Sequence, residues 1–348
     1  MNKDIIIMDV TLRDGSYANH FQFSLAQQKI ITSKLEELGF EYIEIGHGMG
    51  LNASSPQNGV ALHTDAEYLR MAQETLKKAK YGMFCIPGIA RLDDINLARD
   101  MGASFIRVGT NIIEVDNSKP YIERAKKLGL TVMSNYMKVY AETPEYVAQQ
   151  ALKSESYGSD CVYVVDSAGC MLPCDIEEMF NAIRPLTSVK IGFHGHDNLG
   201  LAMTNALKAA ELGFDFVDCT LQGMGRSAGN TPTELFAICA EKLGYNIHVD
   251  IPGILNLSKK YVYPMTHRYN NIDVMCGVVG MHTGFLGSVS KVSGKYGVDP
   301  MTLMDEYAKY SKVRMEVDKL EELATQLPED LDSYSTADFN GYFGYGQI

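Results

Sequence analysis

Eight short apolar runs recur along residues 4–221, and stretches with helical periodicity separate them. The runs are DIIIMDV, YIEIG, YGMFCIP, FIRVGT, LTVMSNY, CVYVVD, KIGFHGH and FVDCTL. Near-continuous apolarity within each run is typical of strands buried on both faces, as in a parallel sheet covered by helices. The eight strand-then-helix units predict an α/β fold, a (β/α)8 TIM barrel, with a doubly wound open sheet as the alternative.

Helix boundaries are marked in the segments between these runs. In SLAQQKIITSKLEELGF, Ser24 and Gln27 form a capping-box pattern and Gly39 supplies a stop. From about residue 250 onward, helical stretches follow one another without strands between them. We therefore predict a TIM-barrel catalytic domain over residues 1–250, a C-terminal helical region over 251–330 and a tail over 331–348.

Composition narrows the class of protein. The 348 residues are 46% hydrophobic and 21% charged, as in an ordinary soluble globular protein. The formal net charge is −12 and no basic run is present, which argues against a nucleic-acid partner. No window approaches the roughly 18 apolar residues of a membrane span, and the N-terminal apolar stretch is too short for a signal peptide. These features predict a cytoplasmic protein with no membrane partner.

Two histidines, His194 and His196, lie one residue apart in the seventh run. Side chains alternate along a strand, so both imidazoles point to one face, although buried core histidines are an alternative reading. Chemistry in a barrel takes place at the carboxyl ends of the strands, and Asp14 follows the first run. Strands one and seven are two steps apart around a closed barrel. We therefore predict a two-histidine, one-carboxylate site for Mn²⁺, Mg²⁺, Co²⁺ or Zn²⁺.

Arg13 directly precedes Asp14 in the same predicted loop. A guanidinium beside a metal site can stabilise a developing enolate or bind a carboxylate through two hydrogen bonds. The alternatives are a surface salt bridge for Arg13 and a helix or turn cap for Asp14.

Five motifs together resemble a known family. DVTLRDG, IEIGHGMGLNASS, YVVDSAG, HGHDN and GMGRSAGNTPTELF occur in this order at predicted strand ends. They resemble the 4-hydroxy-2-oxovalerate aldolases, within the metal-dependent TIM-barrel superfamily that also holds hydroxymethylglutaryl-CoA lyase and isopropylmalate synthase. The resemblance covers about residues 5–325.

This resemblance implies cleavage of a 4-hydroxy-2-oxo acid into pyruvate and an aldehyde, or the reverse reaction, through a metal-stabilised pyruvate enolate. It implies that Arg13 stabilises the enolate, that Ser167 binds the pyruvate carboxylate and that Glu44 orients Arg13. Mn²⁺ is the first choice of metal. The implied metal ligands are Asp14, His194 and His196.

The general base is where this chain departs from the family. In the family, the third residue after the Asp of LRDG is a histidine that acts as general base on the 4-hydroxyl. A tyrosine from the C-terminal region lies beside it. Here Tyr17 takes the first position, and His282 in CGVVGMHTGF takes the second. We predict an exchange of roles, with His282 as base and Tyr17 as its partner, because a phenol has an unperturbed pKa of about 10. His20 is a competing base, and loss of this chemistry is the remaining alternative.

A second departure is Arg226 in GMGRSAGN, where the family tends to have a small residue. The loop after strand eight is a common phosphate site in such barrels, so Arg226 is predicted to bind an anionic group of the substrate. A solvent-exposed arginine is the alternative.

Two other functions remain open on the sequence. One is a Claisen-type acyl-CoA synthase or lyase of the same superfamily, and the other is a non-catalytic homologue that binds a 2-oxo acid. The family pairs with an aldehyde dehydrogenase, and the altered C-terminal tail argues against such a partner here. The apolar positions of the C-terminal helices are compatible with a homodimer.

Overall fold

The computed structural model describes residues 3–266 and 271–329. Eight parallel strands form a closed barrel, in which each strand pairs with the next and the last pairs with the first. They are β1 (Ile6–Asp9), β2 (Tyr42–Ile45), β3 (Lys80–Cys85), β4 (Phe105–Asn111), β5 (Thr131–Met137), β6 (Cys161–Asp166), β7 (Lys190–Gly195) and β8 (Phe216–Cys219). The predicted (β/α)8 TIM barrel is confirmed, and the closure of β8 onto β1 rules out the open sheet.

A helix follows each barrel strand. These helices are α1 (Leu25–Glu37), α2 (Asp65–Thr75), α3 (Leu92–Asp100), α4 (Lys119–Lys127), α5 (Pro144–Tyr157), α6 (Pro173–Ile183), α7 (Ala202–Leu212) and α8 (Thr233–Lys242). The predicted boundaries of α1 are confirmed, since Ser24 and Gln27 form a capping box. Gly39 has a φ of +99°, and a Cβ atom there would lie 2.3 Å from the carbonyl oxygen of His248.

Two short strands that the sequence did not predict form a separate sheet outside the barrel. Lys3–Asp4 pairs in parallel with Tyr245–Asn246. Strands of two residues are too short to produce an apolar alternation, so no sequence pattern marks them. They tie the start of the chain to the segment that follows α8.

The C-terminal part is helical, as predicted. Its helices are α9 (Ile251–Tyr261), α10 (Asn271–Val279), α11 (Leu286–Tyr296), α12 (Pro300–Tyr310) and α13 (Val317–Ala324). Buried side chains of α9, including Ile254, belong to the barrel's hydrophobic core, whereas α10 to α13 surround a core of their own. The division at residue 250 stays a prediction. The predicted tail, 331–348, lies outside the described residues.

The C-terminal helices lie against the mouth of the barrel, where the carboxyl ends of the strands meet. The Nζ atom of Lys138, just after β5, donates to the carbonyl oxygen of Val313 at 2.5 Å. Glu114, after β4, forms an ion pair with Arg314 at 2.6 Å. The helical region therefore forms one wall of the space above the barrel. Among the described residues, every helix is too short or too polar to cross a membrane.

Candidate active site

Three predicted metal ligands meet at the barrel mouth. Asp14 begins a short 3-10 helix after β1, His194 lies in β7 and His196 follows that strand. All three are buried, and one ligand atom from each lies within 4.8 Å of the other two. The two-strand separation between β1 and β7 is therefore bridged by inward-pointing side chains, as the sequence predicted.

Both histidines are held through Nδ1. His194 Nδ1 lies 2.9 Å from Asp218 Oδ2, and His196 Nδ1 lies 3.3 Å from the carbonyl oxygen of Gly229. Since both partners are acceptors, each neutral ring carries its proton on Nδ1 and keeps a lone pair on Nε2. His194 Nε2 lies 3.9 Å from Asp14 Oδ2. This tautomer makes Nε2 of each ring available as a metal ligand.

Asn230 adds a further oxygen beside this group, and the sequence reasoning missed it. Its side-chain NH2 donates to Asp14 Oδ2 at 2.6 Å, while its Oδ1 is buried without a hydrogen-bond partner. An unpaired buried oxygen is costly unless it has a ligand to bind. Asn230 follows the Gly-rich loop after β8, where an amide is easily taken for a turn residue.

The charge states of these residues suit a cation. Burial opposes ionisation of Asp14, but Arg13 and the two histidines outweigh it and hold the pKa of this carboxyl well below its usual range. Burial lowers the pKa of His196 well below its usual range. At neutral pH the site therefore offers a carboxylate and a neutral imidazole, the forms that bind metals.

A buried network of charges supports the site from within the barrel. Arg13 donates to Glu44 at 2.7 Å and to Asp14 at 2.6 Å. Arg107 donates to Glu44 at 2.9 Å and to Asp218 at 2.5 Å. The sequence reasoning missed Arg107 and Asp218, although each interrupts an apolar run, FIRVGT or FVDCTL. A charge inside a buried strand needs a partner, and that was the available signal.

A cavity at the mouth brings together most of the predicted site residues. Polar groups and four apolar side chains line it. They are Arg13, Asp14, Tyr17, Asn135, Ser167, His194, His196, Arg226 and His282, with Phe84, Ile86, Met137 and Val165. Glu44 lies behind Arg13, outside the lining. His20, the competing base, is exposed and does not line the cavity.

Ser167 presents its hydroxyl to this cavity. Its Oγ accepts a hydrogen bond from the backbone N–H of Lys138 at 3.0 Å. The hydroxyl proton is therefore free to be donated to an acceptor in the cavity. Lys138 has a φ of +63°, a left-handed conformation, so the backbone is turned to make this contact.

Tyr17 and His282 line the same cavity. Burial raises the pKa of the Tyr17 phenol, and burial, with Arg226 and Lys138, lowers the pKa of His282 well below its usual range. Tyr17 packs over Gly48, where a Cβ atom would lie 2.4 Å from its ring. His282 Nδ1 accepts from the N–H of Gly284 at 2.9 Å, so the neutral ring has its lone pair at Nδ1.

The (β/α)8 barrel and the buried Asp–His–His group at its mouth together indicate a protein of the metal-dependent TIM-barrel class. The chain belongs to the HMGL-like family, whose family model matches residues 4–260. It is 37% identical to the 4-hydroxy-2-oxovalerate aldolase of Moorella thermoacetica, over 94% of this chain and 98% of the relative. The aldolase of the same name from Thermomicrobium roseum is 36% identical, over 92% and 91%.

A solved structure supports the fold independently. The N-terminal domain of a putative aldolase from Bacteroides vulgatus superposes with a TM-score of 0.69 at 24% identity, over 88% of this chain and 97% of that chain. At this identity the likeness shows the fold alone.

Proposed function

We propose that this protein is a divalent-metal-dependent aldolase, a carbon–carbon lyase that interconverts a 4-hydroxy-2-oxo acid with pyruvate and an aldehyde. The observation that carries the proposal is the buried group of Asp14, His194 and His196 facing Arg13 in one cavity. The relatives with about 36% identity over most of the chain carry the name of this activity.

Asp14, His194 and His196 would hold the metal, and Asn230 Oδ1 is a candidate for a further oxygen ligand. A ligand set of imidazole nitrogens and carboxylate oxygen suits Mn²⁺, our first choice, ahead of Mg²⁺, Co²⁺ and Zn²⁺. When bound, the cation polarises the 2-oxo group and stabilises negative charge that develops on its oxygen.

Arg13 and Ser167 would bind the 2-oxo acid. The Ser167 hydroxyl donates to the substrate carboxylate, since its Oγ is already oriented by Lys138 N–H. Arg13 supplies a fixed positive charge for the enolate oxygen. Glu44 is a positioning residue, because its hydrogen bond to Arg13 Nε fixes the plane of the guanidinium.

His282, with Tyr17 as its partner, would receive the proton of the 4-hydroxyl. The electron pair of the broken O–H bond then forms the second bond of the aldehyde carbonyl, the C3–C4 bond breaks, and its electron pair forms the C2–C3 double bond of the pyruvate enolate. A proton from protonated His282 or from water is added at C3 and completes pyruvate. Protonation of His282 at Nδ1 ends its contact with Gly284 N–H, at a cost of about 1 kcal/mol.

The test is to incubate the Mn²⁺-loaded protein with pyruvate and a panel of aldehydes and acyl-CoAs, and to identify the carbon skeleton that forms. We expect 4-hydroxy-2-oxo acids from aldehydes. Products from acyl-CoA alone would establish the Claisen-type alternative, and pyruvate binding without any product would establish a binding protein.

Association and location stay predictions from the sequence. The C-terminal helices are compatible with a homodimer, and the altered C-terminal tail argues against a complex with an aldehyde dehydrogenase. Light scattering of the purified chain, with and without such a dehydrogenase, measures both. Fractionation of the source cells tests the cytoplasmic location.

A further inference from the structure

Arg226 differs in its anionic contacts from Arg13, the other arginine in the lining of the active-site cavity. Among residues 3–266 and 271–329, no carboxylate forms an ion pair with Arg226, although its charge contributes to the low pKa of Asp14. One Nη atom lies 3.2 Å from His196 Nε2, and its Nε is buried without a hydrogen-bond partner. Arg13 and Arg107, by contrast, each bind two carboxylates.

Contacts of the loop after β8 hold Arg226 in place. Its guanidinium carbon lies 5.4 Å from the centre of the Tyr17 ring. The next residue, Ser227, has a φ of +59°, and its hydroxyl oxygen lies 2.8 Å from carboxylate or amide oxygens of both Asp273 and Asn198. The backbone that carries Arg226 is thus fixed, and the guanidinium is directed into the cavity.

A metal at this site would leave Arg226 without its present partner. The Nε2 lone pair of His196 cannot serve a metal ion and the Arg226 N–H at the same time. The divalent cation would also add charge of the same sign. Two positive centres in one buried cavity are stable together only when anions lie between or beside them.

The carboxylate of the 2-oxo acid would neutralise only part of this charge. Arg226 lies beside Tyr17, and its charge is one of the causes that lower the pKa of His282. These two residues are the pair proposed to act on the 4-hydroxyl. Arg226 therefore lies on the side of C4, where the part of the substrate that leaves as the aldehyde must be.

We propose that Arg226 binds a second anionic group, a carboxylate or a phosphate, on the aldehyde portion of the substrate. The aldehyde released is then itself an anion. This inference rests on the proposed aldolase function, and it names the substrate class of that site.

Binding of two uncleavable ligands tests the inference without turnover. 2-Oxoadipate and 2-oxohexanoate have the same chain length and no 4-hydroxyl, and only the first has a second carboxylate. We expect the Mn²⁺-loaded protein to bind 2-oxoadipate about 10- to 100-fold more tightly by calorimetry, the range for a charge-assisted hydrogen bond. Arg226→Ala should abolish this ratio at equal metal content, and Arg226→Lys should keep part of it. Arg99→Ala, an exposed arginine on α3, is the matched control and should keep the full ratio.

The preference among aldehydes then shows whether Arg226 binds a carboxylate or a phosphate. Succinic semialdehyde is compared with butyraldehyde, and glyceraldehyde 3-phosphate with glyceraldehyde, as acceptors for pyruvate. In one of the two pairs, we expect the charged aldehyde to have the higher kcat/KM. Arg226→Ala should lose this preference because KM for the charged aldehyde rises. If the protein adds pyruvate to neutral aldehydes without preference, or if Arg226→Ala keeps the preference, this inference is wrong and the aldolase function stands. If the protein adds pyruvate to no aldehyde, both are wrong.

Discussion

The imidazole Nδ1 of His194 lies 2.9 Å from the carboxylate of Asp218, and the same carboxylate accepts from Arg107 at 2.5 Å. Arg107 also donates to Glu44, and Glu44 accepts a second hydrogen bond from Arg13. One chain of charges therefore links Nδ1 of a candidate metal ligand to Arg13, which lines the cavity. All of these groups are buried, so solvent screens them little.

Asp218→Asn should weaken metal binding about 10- to 100-fold. The Nδ1–H tautomer of His194 makes the Nε2 lone pair available to the metal. A neutral amide at position 218 stabilises this tautomer less than the carboxylate does. Competition with a chelator, followed by metal analysis, measures the affinity. Asp100→Asn, at an exposed carboxylate, is the control. An affinity equal to that of the unchanged protein would remove Asp218 from this role.

Glu44→Gln should lower the free energy of unfolding by about 3 kcal/mol, because it leaves Arg13 and Arg107 buried with less compensating charge. Glu41→Gln removes an exposed carboxylate paired with Lys80 and should cost less than about 1 kcal/mol. Chemical denaturation of both variants measures the difference. Equal costs would mean that Glu44 contributes no more than a surface ion pair.

The fold and the metal group were predictable for a simple reason. Strands buried on both faces leave continuous apolar runs, and the closed order of the barrel fixes which strand ends are neighbours. Asp14 and His194, which are 180 positions apart, were brought together by that rule.

Arg107 and Asp218 were not predicted, because their partners come from different strands, and Glu44 was assigned to Arg13 only through the family resemblance. These three residues lie on three strands, and no spacing along the chain relates them. Asn230 depends on the path of a loop that follows β8. Pairing across a barrel interior is set by strand register and side-chain direction, which a single sequence does not encode in a short motif.

His282→Ala should reduce kcat for aldol cleavage about 100-fold or more, the usual contribution of a general base. The pKa of His282 is lowered, so the ring is neutral at pH 7, and Nδ1 can accept a proton once it gives up the N–H of Gly284. The rate should therefore fall as pH drops below the usual titration range of histidine, and this acid limb should be absent in the variant. Bound metal is measured at each pH, because His196 also titrates. Full turnover in folded, metal-loaded His282→Ala would contradict the proposed exchange of roles with Tyr17.

Ser167→Ala should raise KM for pyruvate about 10-fold, because a hydrogen bond to a charged carboxylate is lost. Its effect on kcat should be smaller, since the carboxylate is bound in both the ground state and the transition state. Steady-state kinetics of pyruvate addition to an aldehyde separates the two constants. Ser156→Ala, an exposed serine on α5, is the control. An unchanged KM would indicate that Ser167 only accepts the Lys138 N–H.

The most direct test of the aldolase function is the exchange of pyruvate methyl protons with deuterated solvent, followed by proton NMR. The exchange requires the enolate and no aldehyde. We expect the metal-loaded protein to catalyse it, and removal of the metal or the substitution Asp14→Asn to abolish it. Metal-loaded protein that binds pyruvate and exchanges no methyl proton would contradict the account.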